Sequence, residues 1–385
     1  MDRGVVAVST VMPVLLDATS LPPSWGGVAR YITGLLGGLD ELHRPVHVVA
    51  KESDIERLRT AAPSHHYVAA PRLISSRPAR LAWEQAGLPL LARRLGVRVL
   101  HSPHYTSPVV LGGLGSVVTL HDATFFSDPA VHSRLKRTFF RAWSRRAISR
   151  ADAVVLPSGA TRDELVRLAG LRPDRSVVAH LGVDQTVFHV PSAEDVSGFA
   201  RAHELTQHGW IAFLGTIEPR KNVPALLRAY AEVRTRLGDS APALVLSGAR
   251  GWDQEASAML DSAPSGVREV GYLPLDQLSA LLGGSTVVAY PSLGEGFGLP
   301  VLEAMASGAA VLTTRRLSLP EVGGDAVAYT EPDAASLADA LHRLILDDSE
   351  RARLAVTAPL RAAGFTWAAC ARAHLDAYRR AGADV

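Results

Sequence analysis

The sequence lacks the residues on which disulfide-bonded and cysteine-zinc proteins depend. Its 385 residues include one cysteine, Cys370, which excludes an intrachain disulfide framework and a zinc site built from cysteines. The 14 histidines do not include a His-Glu-x-x-His pair, so the zinc peptidase motif is missing too. Aromatic residues make up 6% of the chain, which gives little support for a surface that stacks single-stranded nucleic acid.

The chain also lacks a strong excess of either charge and a long apolar segment. Its net charge of +2 argues against a general polyanion binder, and no nucleic-acid partner is expected. No run of about 18 apolar residues that could cross a membrane exists. The apolar stretch 5–16 has the composition of a signal peptide, but polar residues and Pro13 interrupt it and no clear cleavage site follows. A first buried strand in a cytoplasmic, metal-poor enzyme is the better interpretation.

Short apolar runs alternate with amphipathic stretches, a pattern typical of parallel sheets covered by helices on both faces. Segment 183–208 is polar and interrupts the pattern, so two α/β domains are predicted, at 1–190 and 200–365. A last helix within 366–385 is predicted to pack back on the first domain. The predicted strands are 97–101, 116–120, 153–157, 211–215, 243–247, 267–271, 287–290 and 310–313. The predicted helices are 29–39, 134–149, 160–169, 223–236, 275–282, 300–306, 336–346 and 367–380.

Ligands of open parallel sheets bind beyond the carboxyl ends of the strands, so motifs that follow strands are the most informative. One such motif is GEGFGLPVLEAM, residues 294–305, in which glycines lead into a helix with Pro300 near its start. Free backbone N–H groups at a helix start favour a phosphate. Glu295 and Glu303 flank this start, and carboxylates there suit the hydroxyl groups of a ribose and a sugar. For Glu303 alone, a favourable charge near the helix N-terminus is the simpler alternative.

A second motif, GTIEPRKN at residues 215–222, lies between a predicted strand and the next helix. Arg220 and Lys221 stand at this turn, where an anion would dock. Lys221 is one of three lysines among 40 basic residues, which favours a specific role for its compact ammonium group. A solvated basic turn is the alternative.

Three further motifs follow strands in the first half of the chain. Paired glycines in SWGGVARY, residues 24–31, would let the backbone at Gly27 approach a ligand, although a flexible turn is the alternative. The pair His121 and Asp122 in TLHDA is a plausible catalytic position, although such histidines are often structural. The motif HSPHY, residues 101–105, should face the same cleft. His101, His104 and Tyr105 are expected to form part of the wall of the acceptor site.

Taken together, GTIEPRKN, the Glu295…Glu303 spacing around GFGLP, and SLPEVGGD at residues 318–325 resemble the retaining GT-B glycosyltransferases of family 4. The resemblance covers nearly the whole chain and is strongest over 210–330. It implies two Rossmann-like domains that face a cleft, and transfer of a hexose from a nucleotide-diphosphate sugar. The acceptor would be a glycan, a lipid-linked group or a small molecule. The motif variants look most like mannosyltransferases that use GDP-mannose, with UDP- or dTDP-sugars as alternatives.

The resemblance also implies a role for each matching residue. Arg220 and Lys221 would neutralise the donor diphosphate, while Glu295 would bind the donor sugar and Glu303 the nucleotide ribose. The backbone of Phe297, Gly298 and Leu299 would hold the sugar and the phosphate, and the backbone near Leu273 would meet the base. His121 would touch donor and acceptor, Gly27 would face the diphosphate, and Asp122 would lie on the acceptor side. Many members carry arginine where this chain has Thr216, so Arg220 would have to supply that charge.

The implied chemistry is a front-face attack with retention at the sugar carbon, in which the leaving phosphate takes the acceptor proton. Arg220, Lys221 and the helix start near Leu299 would stabilise the charge of the leaving diphosphate. No Asp-x-Asp motif stands at the cleft-facing turns, so neither a metal nor another cofactor is expected. A GT-B nucleotide-sugar epimerase is the rival enzyme class, and a sugar-nucleotide-binding protein without turnover is the non-enzymatic one.

A basic segment at 134–150 contains Lys136 and six arginines together with Phe139, Phe140 and Trp143. A second group of arginines occurs between Arg72 and Arg98. A basic amphipathic helix can lie on an anionic membrane surface, which would suit a lipid-linked acceptor at the cytoplasmic leaflet. The alternative is a solvated helix whose aromatic side chains pack in the core.

Overall fold

The structure of the protein, a computed structural model, describes residues 12–22, 26–127, 134–205 and 208–385 and consists of two α/β domains. The first domain contains a parallel sheet of seven strands in the order β3-β2-β1-β4-β5-β6-β7. Its strands are β1 (Val14–Asp17), β2 (His47–Ala50), β3 (His66–Ala69), β4 (Val99–Ser102), β5 (Gly115–Thr119), β6 (Ala153–Leu156) and β7 (Ser176–Val178). The predicted apolar stretch 5–16 overlaps β1, and its part up to residue 11 lies outside the described residues.

The second domain contains a parallel sheet of six strands in the order β10-β9-β8-β11-β12-β13. Its strands are β8 (Trp210–Leu214), β9 (Ala243–Ser247), β10 (Val267–Gly271), β11 (Val287–Tyr290), β12 (Val311–Thr314) and β13 (Ala328–Thr330). In the first sheet β1 lies between β2 and β4, and in the second sheet β8 lies between β9 and β11. The strand order of each sheet reverses at this position. This is the point at which doubly wound sheets bind ligands.

Helices connect the strands in both domains, as the alternation predicts. Those of the first domain are α1 (Gly27–Glu41), α2 (Glu52–Ala61), α3 (Arg77–Arg94), α4 (Thr124–Ser127), α5 (Arg134–Arg150) and α6 (Gly159–Ala169), followed by α7 (Ala193–Ala202) in the connecting segment. The rest are α8 (Val223–Leu237), α9 (Gln254–Asp261), α10 (Leu275–Gly283), α11 (Leu299–Ala306), α12 (Leu319–Gly323), α13 (Ala334–Leu346), α14 (Asp348–Ala362) and α15 (Trp367–Arg380). Within the described ranges, none of these helices has the length and apolar character needed to cross a membrane.

The chain crosses between the domains twice, and the two crossings lie side by side. The first crossing follows β7 and contains α7, while the second leads from α14 to α15. The backbone N–H of Val183 in the first crossing donates to the carbonyl of Phe365 in the second at 3.1 Å. A Cβ on Gly182 would overlap the backbone of Thr366 and Trp367, so glycine is what permits this approach.

The last helix, α15, packs on α1 and against β6 and β7 of the first domain. Small residues on α1 allow the two helices to approach closely. A Cβ on Gly34 would overlap the indole ring of Trp367, and a Cβ on Gly38 would overlap its backbone carbonyl. Gly37, on the same helix, has no atom within 4 Å of the position of a Cβ.

These neighbouring glycines give a matched test of the contact between α1 and α15. Gly38→Ala should lower the stability of the protein by about 1–3 kcal/mol, because a backbone carbonyl cannot move aside for the added methyl group. Gly37→Ala should leave stability unchanged or raise it by up to about 1 kcal/mol, since alanine favours helix. Urea unfolding of both variants measures the difference. Equal midpoints for the two variants would show that the helices are not in close contact.

Candidate active site

A cavity of about 770 Å³ lies between the two domains and is lined by residues that follow the strands of both sheets. Both of the predicted strand-end motifs of the second domain reach it. Eleven of the predicted site residues line it: Gly27, His121, Asp122, Thr216, Arg220, Lys221, Leu273, Glu295, Phe297, Gly298 and Leu299.

The carboxylate of Glu295 is the centre of a buried polar cluster in this cavity. It is 6% exposed, and its Oε1 accepts hydrogen bonds from Lys221 at 2.7 Å, Ser292 at 2.8 Å and Tyr290 at 2.9 Å. Its Oε2 pairs with the guanidinium of Arg220. Burial alone would raise the pKa of Glu295, but Arg220 and Lys221 lower it to about 2. The ionised carboxylate therefore fixes the position of both cations.

Arg220 and Lys221 keep donors for a ligand despite these contacts. Arg220 also donates to Glu218 at 2.7 Å and to the carbonyl of Gly294 at 3.1 Å. Within the described part of the chain, neither Nε of Arg220 nor the third N–H of the Lys221 ammonium makes a hydrogen bond. Because the charges of Glu218 and Glu295 formally cancel those of the two cations, an anion would be held here by directed N–H groups rather than by net charge.

Helix α11 begins at the wall of the cavity, as the glycine pattern predicts. Gly298 precedes it with φ +105°, a left-handed conformation that favours glycine. Leu299 and Pro300 form the first turn of α11 and line the cavity. The first backbone N–H groups of a helix have no intrahelical partner, so this turn offers donors to an anion.

The loop before α11 is braced on the first domain. The carbonyl of Gly296 accepts hydrogen bonds from the hydroxyls of Ser158 at 2.6 Å and Thr161 at 3.0 Å. A Cβ on Gly296 would overlap the carbonyl of His121, so the two domains meet at a position where only glycine fits. Glu321 adds a contact by accepting from the N–H of Gly159 at the start of α6, at 2.9 Å.

His121 lines the same cavity as Glu295 but comes from the first domain. Its Nε2 lies 2.8 Å from the carbonyl of Pro103, and since a carbonyl can only accept, Nε2 carries the proton and Nδ1 keeps a lone pair. Burial lowers the pKa of His121, an effect that Pro103 and Asp122 oppose, so the imidazole is neutral at neutral pH. Its ring packs edge-on against Tyr31, with the ring centroids 4.8 Å apart.

The expectation that His101 faces the cleft is wrong. His101 lies within β4, is fully buried, and bonds at 2.9 Å to both the Tyr378 hydroxyl and the Thr119 hydroxyl. Its side chain therefore belongs to the core beneath α15, because the strand continues one residue beyond it and carries it into the sheet. His104 and Tyr105 are partly buried, and they are not among the described residues that line the cavity.

Both residues nevertheless lie beside the catalytic candidates. The ring of Tyr105 packs edge-on to that of His121, with centroids 6.5 Å apart, and burial together with Asp122 raises the pKa of Tyr105. His104 belongs to a cluster with Asp17 and Glu84, whose ligand atoms lie within 4.8 Å of one another and could hold a metal ion. The guanidinium of Arg80 already donates to Glu84 at 3.0 Å, so a cation is present at this cluster.

The ion pair between Glu303 and Arg30 is a contact that sequence reasoning missed. Glu303 is 2% exposed and is not among the described cavity-lining residues, and its Oε1 pairs with Arg30 of α1. Arg30 itself lines the cavity. One signal was present in the sequence, because a cation in the first turn of a helix opposes the helix dipole and suggests a partner elsewhere.

The low pKa of Glu295 predicts how acid affects the stability of the protein. Folding lowers the pKa of this carboxyl from 4.5 to about 2, so it stabilises the fold above the higher value and the contribution is lost as the pH falls towards the lower one. Urea unfolding between pH about 5 and about 3 should therefore show a steeper loss of stability in the wild type than in Glu295→Gln. Glu41→Gln, which changes an exposed carboxylate, should follow the wild type. Parallel curves for wild type and Glu295→Gln would contradict the assignment.

Comparison with known proteins agrees with this geometry. Residues 25–187 match the family model described as Glycosyltransferase Family 4, and residues 208–347 match the one described as Glycosyl transferases group 1. The O-antigen chain mannosyltransferase B of Escherichia coli is 30% identical over 285 residues, which cover 73% of this chain and 74% of that protein. A D-inositol 3-phosphate glycosyltransferase of Nocardioides is 28% identical over 386 residues, which cover 95% of this chain and 79% of that protein.

Solved structures show the same fold. HepE of Anabaena, in complex with UDP and glucose, aligns with a TM-score of 0.76 at 18% identity over 96% of this chain and 99% of its own. WaaG, a glycosyltransferase of lipopolysaccharide biosynthesis, aligns with a TM-score of 0.73 at 16% identity over 96% of this chain and 100% of its own. These likenesses confirm the predicted GT-B fold. The chain therefore belongs to glycosyltransferase family 4 and is a hexosyltransferase.

Proposed function

We propose that the enzyme transfers mannose from GDP-mannose, with retention, to a hydroxyl group of a glycan, a glycolipid or a small molecule. The observation that carries the proposal is the set of directed N–H donors around Glu295, beside the start of α11 and inside the cavity between the domains. The similarity to O-antigen chain mannosyltransferase B supports mannose as the sugar. A UDP- or dTDP-sugar is the alternative, since HepE was solved with UDP and glucose.

In this proposal the donor diphosphate lies between the Arg220–Lys221 turn and the first turn of α11. Both cations are already held by Glu295, so they need little reorganisation when charge develops on the leaving phosphate. The buried Glu295 would also meet a hydroxyl of the donor sugar, and Leu273 lies on the wall where the base would stack. No metal or other cofactor is required in this scheme.

The first domain supplies the acceptor side in this proposal. Neutral His121 would use the lone pair of Nδ1 to accept a hydrogen bond from a hydroxyl of the donor sugar or of the acceptor. Asp122 is oriented by Thr124, whose N–H and hydroxyl donate to its Oδ1 at 3.0 and 2.7 Å. The leaving phosphate takes the proton of the attacking acceptor hydroxyl in a front-face reaction. His104 and Tyr105 would help to shape the acceptor side without lining the cavity, with Tyr105 packed against the ring of His121.

The donor can be identified by a thermal-shift screen against GDP-, UDP- and dTDP-sugars. GDP-mannose at about 100 times its Kd should stabilise the protein by about 2.7 kcal/mol, and the other donors should stabilise it less. Lys221→Met should reduce that shift, because the variant loses a charge-assisted hydrogen bond to the diphosphate. A coupled assay that detects released nucleoside diphosphate in the presence of an acceptor extract should respond to the same donor.

Two results would contradict this assignment. A larger shift with a UDP- or dTDP-sugar would replace GDP-mannose as the donor. Conversion of the nucleotide sugar to its epimer, without release of nucleoside diphosphate, would show the rival epimerase chemistry.

We also propose that one face of the first domain contacts an anionic membrane at the cytoplasmic side. The loop after β4 carries two exposed valines, Val109 at 44% and Val110 at 69% exposed. Arg146 of α5 donates to the carbonyl of Val109 at 3.2 Å, and Arg93 of α3 donates to that of Gly112 at 3.3 Å. The two basic groups seen in the sequence therefore flank one apolar loop, an arrangement that suits anionic lipid headgroups.

The membrane proposal is tested by vesicle flotation. The protein should float with vesicles that contain phosphatidylglycerol, and Val110→Asp should reduce the bound fraction because it adds a negative charge to the apolar loop. Leu360→Asp is the control, since Leu360 is 73% exposed on α14 of the other domain. Equal binding to vesicles of neutral phosphatidylcholine, or equal loss in both variants, would contradict contact through this loop.

A further inference from the structure

An ion pair joins the two domains at the rim of the cavity. Arg30 lies in the first turn of α1, and its Nη1 donates to Oε1 of Glu303 in α11 of the second domain. The same guanidinium lies over the ring of Phe188, 5.5 Å from its centroid, in the segment that connects the domains. The contact therefore involves the first domain, the second domain and the connection between them.

Only one of the two carboxylate oxygens of Glu303 has a hydrogen-bond partner among the described residues. Its Oε2 is buried and has no hydrogen-bond partner among the described residues. A buried acceptor without a donor costs about 1–3 kcal/mol, so this oxygen needs a donor that the described residues do not supply. Burial raises the pKa of Glu303, while Arg30 and, more weakly, Lys221 oppose that effect and favour the ionised acceptor.

The position of Arg30 in α1 is electrostatically unfavourable for the helix itself. A positive charge in the first turn of α1 opposes the helix dipole, and α1 begins with no side chain that caps its N-terminus. Its side chain remains 32% exposed towards the cavity, whereas Glu303 is nearly fully enclosed. The ion pair of Arg30 therefore stabilises the buried carboxylate of Glu303 and does not stabilise the N-terminus of α1.

Resting on the proposed function, we infer that Arg30 is a positioning residue for the nucleotide. It holds Oε1 of Glu303 and leaves Oε2 to accept a hydrogen bond from a ribose hydroxyl of the donor. Because the guanidinium and the carboxylate come from different domains, the ribose site is complete only when the domains are in contact. Nucleotide binding and domain contact are thereby coupled through one ion pair.

The inference is tested by titration calorimetry with GDP, and with UDP and dTDP as alternatives, on the full-length protein. Arg30→Gln should weaken binding of the nucleoside diphosphate about tenfold, the effect of losing one charge-assisted hydrogen bond. Arg30→Lys, which keeps the charge, should recover part of the affinity. In the transfer reaction, Arg30→Gln should raise the donor KM about tenfold and change kcat by less than about threefold, as expected for a binding role.

A matched control separates positioning from domain contact in general. His180 bonds to Glu321 at 2.5 Å across the same two domains and is not among the described residues that line the cavity. His180→Ala should leave nucleotide affinity unchanged. The double variant Arg30→Gln with Glu303→Gln should bind no more weakly than Glu303→Gln alone, because Arg30 acts through Glu303.

Each other outcome is decisive. Unchanged or tighter binding in Arg30→Gln would overturn the inference, as would strictly additive losses in the double variant. An equal loss in His180→Ala would also overturn it, because any domain contact would then suffice. If the wild type binds none of the three nucleoside diphosphates, the proposed function fails and the inference fails with it. If the wild type binds one of them and Arg30→Gln binds it equally well, only the inference fails.

Discussion

The buried carboxylate of Glu295 is the interaction on which the rest of the site depends. A charge with 6% exposure is stable in this place because four side chains donate to it, two of them cations. Those cations would be costly to bury without it, so the acid and the bases are each stabilised by the other. The result is a set of N–H groups, held by one carboxylate, on residues that line the cavity. Tyr290 and Ser292, at the end of β11, place this set at the strand order reversal of the second sheet.

The same loop also determines how the two halves of the molecule meet. The carbonyl of Gly296 is held by Ser158 and Thr161 of the first domain, while its Cα lies against the backbone of His121. Gly296 therefore both lines the cavity and touches the other domain, and its neighbours Glu295 and Phe297 line the cavity too. A change in the position of this cavity-lining backbone must also change the fit between the domains.

The sequence predicts the central strands and the strand-end motifs well, because these are determined locally. Strands β9, β10 and β11 have the predicted bounds, and α11 begins directly after the glycines, as predicted. The predicted helices do not include α2, α3, α9, α12 and α14. The pattern is weak in α2, where Leu58 is the only buried residue, and in α14, where three residues are buried. Short strands such as β7 and β13 have too few residues to show a pattern.

The errors at the site have a different origin, namely contacts between distant parts of the chain. His101 is enclosed because Tyr378 of α15 reaches it from the far end of the sequence. Arg30 and Glu303 are 273 positions apart, and neither motif alone indicates that they meet. The position of most motifs at the cavity was therefore predictable from the strands that precede them, whereas the pairing of motifs depends on how the two domains pack.

The paired chain crossings have a mechanical consequence. Two domains that are joined by one segment of chain can twist and separate in many directions. Two connecting segments that lie side by side and are hydrogen-bonded to each other form a hinge with fewer directions of movement. The hydrogen bond from Val183 to Phe365, and the fit of Gly182 against Trp367, hold those connections together. Such a connection would oppose twisting of one domain against the other, so that any rotation about it would keep Arg30 and Glu303 facing each other.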